Sequence, residues 1–140
     1  MVVPSTATPV RSYFEHYRDA FNALDGHAVA ALWHTPSGIA QDGHVTWWAD
    51  HQLMRDNFAA LCEVYRRAGF ARTDFELKAV HLLGPQFAWA DVQWTIWRND
   101  GTVLQRFDTA YHLIHTEAGW RVLLCTAYQE DLAAMRGAAA

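Results

Sequence analysis

Two aspartates, Asp91 and Asp108, stand out because each lies within a run of apolar residues that reads as a strand. A carboxylate in such a place costs free energy unless it is paired or used for chemistry. Arg106 shares a strand face with Asp108, and Arg98 and Arg121 lie on neighbouring strands. The two aspartates therefore indicate either structural ion pairs at a subunit surface or acid/base groups in a cavity.

Histidine supplies the other candidate acid/base groups. The chain has eight histidines, but His-Glu-x-x-His is absent, and His112 and His115 would point to opposite faces of one strand. We therefore predict no metal site. His81 and His112, in mid-strand, have the chemistry of a general acid or base near neutral pH, or else are satisfied core or interface residues. His34 is a weaker candidate at the end of a helix.

Aromatic residues make up 14% of the chain, which contains seven Trp. Clefts for flat apolar ligands have aromatic walls with few polar groups. Candidates for such a wall are Trp33 with the adjacent His34, Trp47, Phe58, Trp89 and, on the strand face of Trp89, Gln93. Some aromatic side chains must instead belong to the core or to a subunit contact.

Several classes of function are disfavoured. The net charge is −4 without a Lys/Arg run, so nucleic acid is not an expected partner. Phosphate-binding loops and Gly-x-Ser-x-Gly are absent, and we expect no cofactor. The chain lacks a basic leader and a long apolar segment, which predicts a cytoplasmic protein without membrane contact. Cys62 and Cys125 are expected to be buried thiols.

The elements that position these residues fall into two groups, helices first and strands second, which predicts an α+β fold. We expect one domain over residues 1–140, with a core of about 10–129, a loose leader 1–8 and an Ala-rich tail 132–140. Helices are predicted from Thr8-Pro9 to Asp25-Gly26, from His27 to about Trp33, and from an Asp50 cap to Ala68 before Gly69. Residues 39–48 form a hairpin that turns at Asp42-Gly43.

The strands are predicted near 72–83, 87–98, 103–115 and 119–129, as a long, strongly curved antiparallel meander. Both faces of strand 87–98 are apolar, so the sequence does not decide which face points toward the helices. An exposed apolar sheet face predicts a homodimer packed sheet to sheet. If Asp108 faces inward, Ala110 and His112 share the cavity with it; if it faces outward, the cavity is lined by Phe107, Thr109, Tyr111 and Leu113.

Three features of the chain resemble the nuclear transport factor 2-like superfamily. They are the order of elements, the segment Phe21-Asn22-Ala23-Leu24-Asp25-Gly26-His27 leading to Trp33, and the strand start Gly119-Trp120-Arg121-Val122. More narrowly, the chain resembles its uncharacterised SnoaL-like proteins. The resemblance covers about Val10 to Gln129. It implies a cystatin-like cone, in which a strongly curved antiparallel sheet wraps around about three N-terminal helices, and usually a dimer across the outer sheet face.

The superfamily includes ketosteroid isomerase, polyketide cyclases and many non-catalytic proteins, so the resemblance implies fold more than chemistry. It implies a carboxylate on the first strand, here nearest to Asp42, and a helix-borne phenol, here Tyr13 or Tyr17. Asp42 competes for a turn role, because Asp-Gly is a strong hairpin signal. Three hypotheses remain: a cofactor-free acid/base isomerase, cyclase or dehydratase acting on a small apolar compound; a non-catalytic protein that binds such a ligand; and a dimerisation module whose cone is filled by side chains.

Overall fold

Three helices and six strands make up the computed structural model, which describes residues 3–128 and the side chains from residue 9 onward. The helices are α1 (Val3–Asn22), α2 (Gly26–Ala30) and α3 (His51–Arg67). The strands are β1 (Trp33–Gln41), β2 (His44–Trp48), β3 (Phe70–Leu83), β4 (Phe87–Arg98), β5 (Val103–Thr116) and β6 (Gly119–Tyr128). The predicted α+β fold is confirmed, as is the curved sheet against helices. The predicted tail 132–140 lies outside the described residues.

The six strands form one sheet in the order β2-β1-β6-β5-β4-β3. The meander β3 to β6 is antiparallel, as predicted, and β4 has the predicted bounds. One pairing was not predicted: β1 runs parallel to β6, with Ile39 opposite Cys125. The register between them shifts between Trp33 and Gly38. The parallel pair brings the β1-β2 hairpin beside the C-terminal half of β6.

One predicted hairpin turn and the two predicted ends of α3 are present in the structure. Asp42 and Gly43 have φ angles of +54° and +78°, the two left-handed positions of a type I′ hairpin turn. Asp50 caps α3, since its carboxylate accepts a hydrogen bond from the backbone N–H of Gln52 at 2.7 Å. Gly69, with φ +89°, follows the end of α3. Asp42 is therefore an exposed turn residue and not a base inside a cavity.

The ends of the first two helices differ from the predictions. Helix α1 begins at Val3, ahead of Pro9, so most of the predicted loose leader is helical; Pro9 only removes one N–H from the helical ladder. Helix α2 ends at Ala30, and Trp33 already belongs to β1. Trp33 pairs with Val122 across the sheet, and such a long-range pairing overrides the local helical pattern.

The two faces of the sheet are distinct in burial. On β4, Ala88, Ala90, Val92, Trp94 and Ile96 are buried, and the alternate residues are only partly covered. The buried face is the concave face that meets the helices. Its centre is held by Phe14 of α1, which is fully buried and lies 4.9 Å from the ring of Tyr111 and 6.1 Å from that of Phe75.

Helix α1 is anchored to the edge strand β3 by a double hydrogen bond. The side-chain amide of Asn22 donates to the carbonyl of Thr73 at 3.2 Å and accepts from its N–H at 2.7 Å. One turn earlier, Arg18 forms an ion pair with Asp74 at 3.2 Å. These contacts fix α1 along one rim of the concave face, so its aromatic side chains point toward the sheet.

Helices α2 and α3 approach so closely at Gly26 that substitution there should destabilise the fold. A Cβ at Gly26 would lie 2.5 Å from the backbone N of Ala59 and 2.6 Å from the carbonyl carbon of Phe58. Because backbone cannot move aside cheaply, Gly26→Ala should lower the free energy of unfolding by about 1–3 kcal/mol. Urea denaturation measures this change.

Gly38→Ala is the comparison variant, because the atoms nearest to its Cβ would belong to the indole ring of Trp47, with the carbonyl oxygen of Thr46 farther away at 3.0 Å. Trp47 is 58% exposed and its side chain can move toward solvent, so we expect a smaller loss than for Gly26→Ala. A loss below about 0.5 kcal/mol for Gly26→Ala would show that the contact between α2 and α3 is not rigid.

Candidate functional site

A cavity of about 240 Å³ lies between the concave face of the sheet and the helices. Its walls are mainly aromatic and aliphatic. Helix α1 contributes Tyr17 and Phe21, the sheet contributes Trp33, Ile39, Trp48, Phe70, Trp94, Ile96 and Phe107, and α3 contributes Phe58, Leu61, Val64 and Tyr65. Its volume lies just below the roughly 300–1,000 Å³ of drug-sized ligand sites. A molecule of one or two rings matches this space.

The sheet side of the cavity carries hydroxyl groups. Thr109 and Tyr111 project from the inner face of β5, with exposures of 1% and 3%. The indole N–H of Trp94 donates to the phenol oxygen of Tyr111 at 3.0 Å. In the same way, Trp33 donates to the phenol oxygen of Tyr17 at 3.2 Å. Each indole thus fixes the position of one phenol against the cavity.

The mouth of the cavity lies between α3 and the β1-β2 hairpin. Asn57, Ala60, Leu61 and Val64 recur at helical spacing and line the cavity from one side. Gln41 and Thr46 line it from the hairpin side. Ala60 and Thr46 are exposed while Leu61 and Val64 are half-buried, so the opening combines apolar side chains with uncharged polar ones.

The lining is electrically neutral. Among the described residues that line the cavity there is no Asp, Glu, His, Lys or Arg. Its ionisable groups are phenols and the thiol of Cys125. Burial raises the pKa of Tyr111 well above 10.0, and the neighbouring Tyr17 raises it further. The phenol of Tyr111 therefore keeps its proton at neutral pH and can donate a hydrogen bond.

Three of the predicted site residues line this cavity. They are Tyr17, Trp33 and Phe58. Tyr13 lies deeper in the core, where its hydroxyl donates to the carbonyl of Leu32 at 2.6 Å. Burial raises the pKa of Tyr13 as well. Its side chain is buried structure and does not face a cavity ligand.

The predicted acid/base set lies on the other side of the sheet. Asp108 pairs with Gln93 and Tyr128, His112 with Trp89 and Leu124, and Asp91 with Ala110, all on the outer face. The inward alternative, Phe107, Thr109, Tyr111 and Leu113, is the buried one. Because the sheet separates Asp91, Asp108 and His112 from the cavity, they cannot transfer protons to a molecule inside it. The predicted wall residues Trp89 and Gln93 are likewise outside.

The outer-face aspartates have local partners that differ from the predicted arginines. The carboxylate of Asp91 accepts from the indole N–H of Trp89 at 3.2 Å. Asp108 lies 3.8 Å from the ammonium of Lys78. The ring of His112 packs edge-on against Trp89, with centroids 6.3 Å apart. These residues form a partly covered polar and aromatic surface.

The last two predicted ligand-binding residues lie near the hairpin and outside the cavity. His34 places its ring nitrogen 3.0 Å from the carbonyl of Pro36. Trp47 covers Gly38 with its indole and is 58% exposed. Neighbouring Trp48 is buried and lines the cavity instead, because successive strand residues point to opposite faces.

Sequence reasoning named Thr109 and Tyr111 only as one of two parity alternatives, and it did not assign the hydroxyls a role. Tyr65 of α3, which also lines the cavity, was not predicted as a site residue. A Thr in a strand is common because β-branched residues favour strands. The available signal was the alternation Phe107, Thr109, Tyr111, Leu113, which becomes informative once the inner face is known.

The buried thiol of Cys62 gives the structure a measurable response to alkali. Burial raises the pKa of Cys62 to about 11, from 9.0. A raised pKa means that the folded chain holds the proton that the unfolded chain releases, so stability present below about pH 9 should be lost as the pH rises toward about 11. Urea denaturation at a series of pH values measures this loss.

The control is Cys62→Ala, which should reduce the fall in stability that begins near pH 9 while leaving the later fall from Tyr13 and Tyr111 above pH 10. Cys62 is 2% exposed, so Ellman's reagent should label it only after unfolding. Rapid labelling of Cys62 in the folded chain would contradict this burial.

Within residues 3–128, no group of three or more His, Cys, Asp or Glu side chains could hold a metal ion. No helix in the same range is long and apolar enough to cross a membrane.

Similar folds occur in several solved structures of low sequence identity. Aln2 from a Streptomyces species has a TM-score of 0.73 and 15% identity, covering 94% of this chain and 95% of that one. An NTF-2 like protein of unknown function from Shewanella oneidensis has a TM-score of 0.70 and 13% identity, covering 87% and 98%. A ketosteroid isomerase-like protein from Erwinia carotovora atroseptica has a TM-score of 0.64 and 16% identity, covering 86% and 92%.

At these identities the similarity shows a shared fold and carries no activity to this chain. No curated protein matches the sequence. Residues 7–130 match the family described as NTF2-like protein (DUF6841), which agrees with the resemblance to the nuclear transport factor 2-like superfamily. The chain therefore belongs to the NTF2-like family DUF6841.

Proposed function

We propose that this protein binds a small, uncharged and mainly apolar molecule in its cone, and that it does so without acid/base chemistry on the molecule. The observation that carries the proposal is the cavity of about 240 Å³ whose described lining is aromatic, aliphatic and hydroxyl-bearing but holds no carboxylate, imidazole, ammonium or guanidinium. Such a site offers a molecule burial and a few hydrogen bonds.

The walls support a flat ligand. Trp33, Trp48 and Trp94 face the cavity together with Phe58 and Tyr65. Aromatic side chains bury large apolar areas and stack well on planar groups. Each Å² of apolar ligand surface removed from water contributes about 25 cal/mol, and this gain from the buried rings is what offsets the cost of association.

The neutral lining argues against a charged ligand and against proton transfer. Burying a carboxylate or ammonium without an opposite charge costs several kcal/mol. A general base must lie within hydrogen-bond reach of the proton that it removes. Asp91 and Asp108 are on the opposite face of the sheet, which favours the binding protein over the cofactor-free isomerase, cyclase or dehydratase.

The experiment compares probes of one shape and different charge. Acetylnaphthalene, naphthoate and naphthylmethylammonium, substituted at the same ring position, are titrated into the protein at neutral pH. Affinity is measured by calorimetry and by quenching of tryptophan fluorescence. We expect the ketone to bind at least 10-fold more tightly than either ion, because only the ions lose hydration without a partner. Preference for an ion, or no binding of the ketone at millimolar concentration, would overturn the proposal.

A second proposal concerns the outer face of the sheet, where we infer a homodimer contact. Phe87, Trp89, Ile114 and Leu124 are only partly covered there, and Tyr128 is 45% exposed. Aromatic and aliphatic side chains that remain partly exposed on a sheet face are unfavourable in water and are covered in stable oligomers.

The test of the dimer is sedimentation of Leu124→Arg, which places a charge on the outer face. Leu53→Arg is the matched control, because Leu53 is 56% exposed on α3. We expect a dimer for the wild type and for the control, and a monomer for Leu124→Arg. A wild type that sediments as a monomer at micromolar concentration would contradict the dimer.

A further inference from the structure

Two buried polar side-chain atoms in the described residues lack a hydrogen-bond partner, Thr109 Oγ1 and Asp108 Oδ1. Asp108 lies on the outer face, with the ammonium of Lys78 at 3.8 Å. Thr109 has no such neighbouring charge and is 1% exposed. An unsatisfied buried hydroxyl costs about 1–3 kcal/mol. An unpartnered hydroxyl in a cavity wall can be satisfied by a molecule that enters the cavity and forms a hydrogen bond with it.

The surroundings of Thr109 explain why its hydroxyl has no protein partner. Across the sheet it pairs with Val92 on β4 and with Ala127 on β6. Neither side chain carries a polar atom. Val would occupy nearly the same volume in a strand without a buried hydroxyl. Thr109 is one of the residues that line the cavity, so we consider a molecule inside the cavity as the partner for its buried hydroxyl.

Tyr111 supplies a second hydroxyl on the same face, two residues along β5. Its oxygen accepts the indole N–H of Trp94 at 3.0 Å, which fixes the phenol and leaves its proton for donation. Residues two apart on a strand are about 6.8 Å apart at Cα. The two hydroxyls therefore border one part of the cavity wall, with Trp94 beside them.

We propose that Thr109 and Tyr111 form a polar subsite that binds the carbonyl oxygen of a neutral ring compound, such as an aryl ketone, a quinone or a lactone. This inference rests on the proposed binding function and specifies the ligand class. The apolar remainder of the ligand lies against the aromatic walls and extends toward Leu61 at the mouth. Thr109 and Tyr111 determine specificity in this arrangement, since they distinguish a carbonyl compound from a hydrocarbon of equal shape.

The experiment uses acetylnaphthalene and isopropenylnaphthalene, which have nearly the same shape but differ in the oxygen. Both are titrated into the wild type, Thr109→Val, Thr109→Ser and Tyr111→Phe. We expect Thr109→Val and Tyr111→Phe each to weaken the ketone about 10-fold, the effect of one lost hydrogen bond to a buried group. Thr109→Ser should retain the affinity, because it keeps the hydroxyl.

The hydrocarbon is the internal control, and its affinity should change less than about 2-fold in every variant that folds. Circular dichroism and thermal unfolding report folding. If ketone and hydrocarbon weaken equally in Thr109→Val and Tyr111→Phe, or the ketone weakens in neither, the subsite is overturned while the cavity remains a binding site. If the wild type binds neither probe, the proposed function fails and the subsite fails with it.

Discussion

Replacing Phe14 by Ala should lower the free energy of unfolding by about 3–5 kcal/mol, the largest loss that we expect from a single substitution in this chain. Phe14 is fully buried, and its ring lies within 6.1 Å of those of Tyr17, Phe75 and Tyr111. Truncation removes the burial of a whole ring and leaves a void between α1 and the sheet. Urea denaturation at neutral pH measures the change.

Two controls separate the void from other effects of substitution. Phe14→Leu retains most of the volume and should cost clearly less than Phe14→Ala. Leu53→Ala removes an apolar side chain that is 56% exposed on α3, and its effect should stay within about 0.5 kcal/mol. A loss below about 1 kcal/mol for Phe14→Ala would mean that α1 does not pack on the sheet as described.

The elements that could be predicted from the sequence are those with a local cause. Asp42-Gly43 forms the hairpin turn because these residues tolerate positive φ angles. Asp50 caps a helix because its carboxylate accepts a hydrogen bond from the backbone N–H of Gln52. Strand β4 has the predicted bounds, 87 and 98, because turn residues stand at Gly84-Pro85 and Asn99-Asp100. In each case the determining contact lies within a few residues.

The features that could not be predicted depend on distant partners. The parallel pairing of Trp33 with Val122 joins segments almost ninety positions apart in the sequence, and nothing near Trp33 distinguishes the end of a helix from the start of a strand. The face of β4 is a second example. Trp89 and Trp94 lie on opposite faces and are equally apolar, so tertiary contacts such as the packing of Tyr17 against Trp94, at 5.7 Å, are needed to show which side is inside.

That choice of face decides the chemistry of the site. With Trp94 inside, β5 turns Thr109 and Tyr111 inward and Asp108 and His112 outward. The same strand with the opposite parity would place a carboxylate and an imidazole in the cavity and would support proton transfer. A shift of the strand by one residue would exchange its inner and outer faces. That exchange is the difference between an acid/base site and a neutral binding site.

Leu61→Trp should weaken the binding of acetylnaphthalene at least 10-fold, because the larger ring occupies the cavity that the ligand needs. Leu61 lines the mouth from α3 and is half-buried. An indole at this position fills part of a space of about 240 Å³ and adds apolar contacts to the aromatic wall. We therefore expect the thermal midpoint to stay close to that of the wild type while affinity falls. Calorimetry and thermal unfolding together measure both quantities.

Leu53→Trp is the matched control for this substitution. Leu53 lies on the same helix, is 56% exposed and does not line the cavity, so the same exchange there should leave the affinity unchanged. A ligand that binds Leu61→Trp and wild type equally well, in a chain that remains folded, would have to lie outside the cone. An exposed aromatic side chain, such as Trp47 on the hairpin or Tyr128 on the outer face, would then be the first contact to test. Loss in Leu61→Trp alone instead assigns the bound molecule to the space between α3 and the hydroxyls of β5.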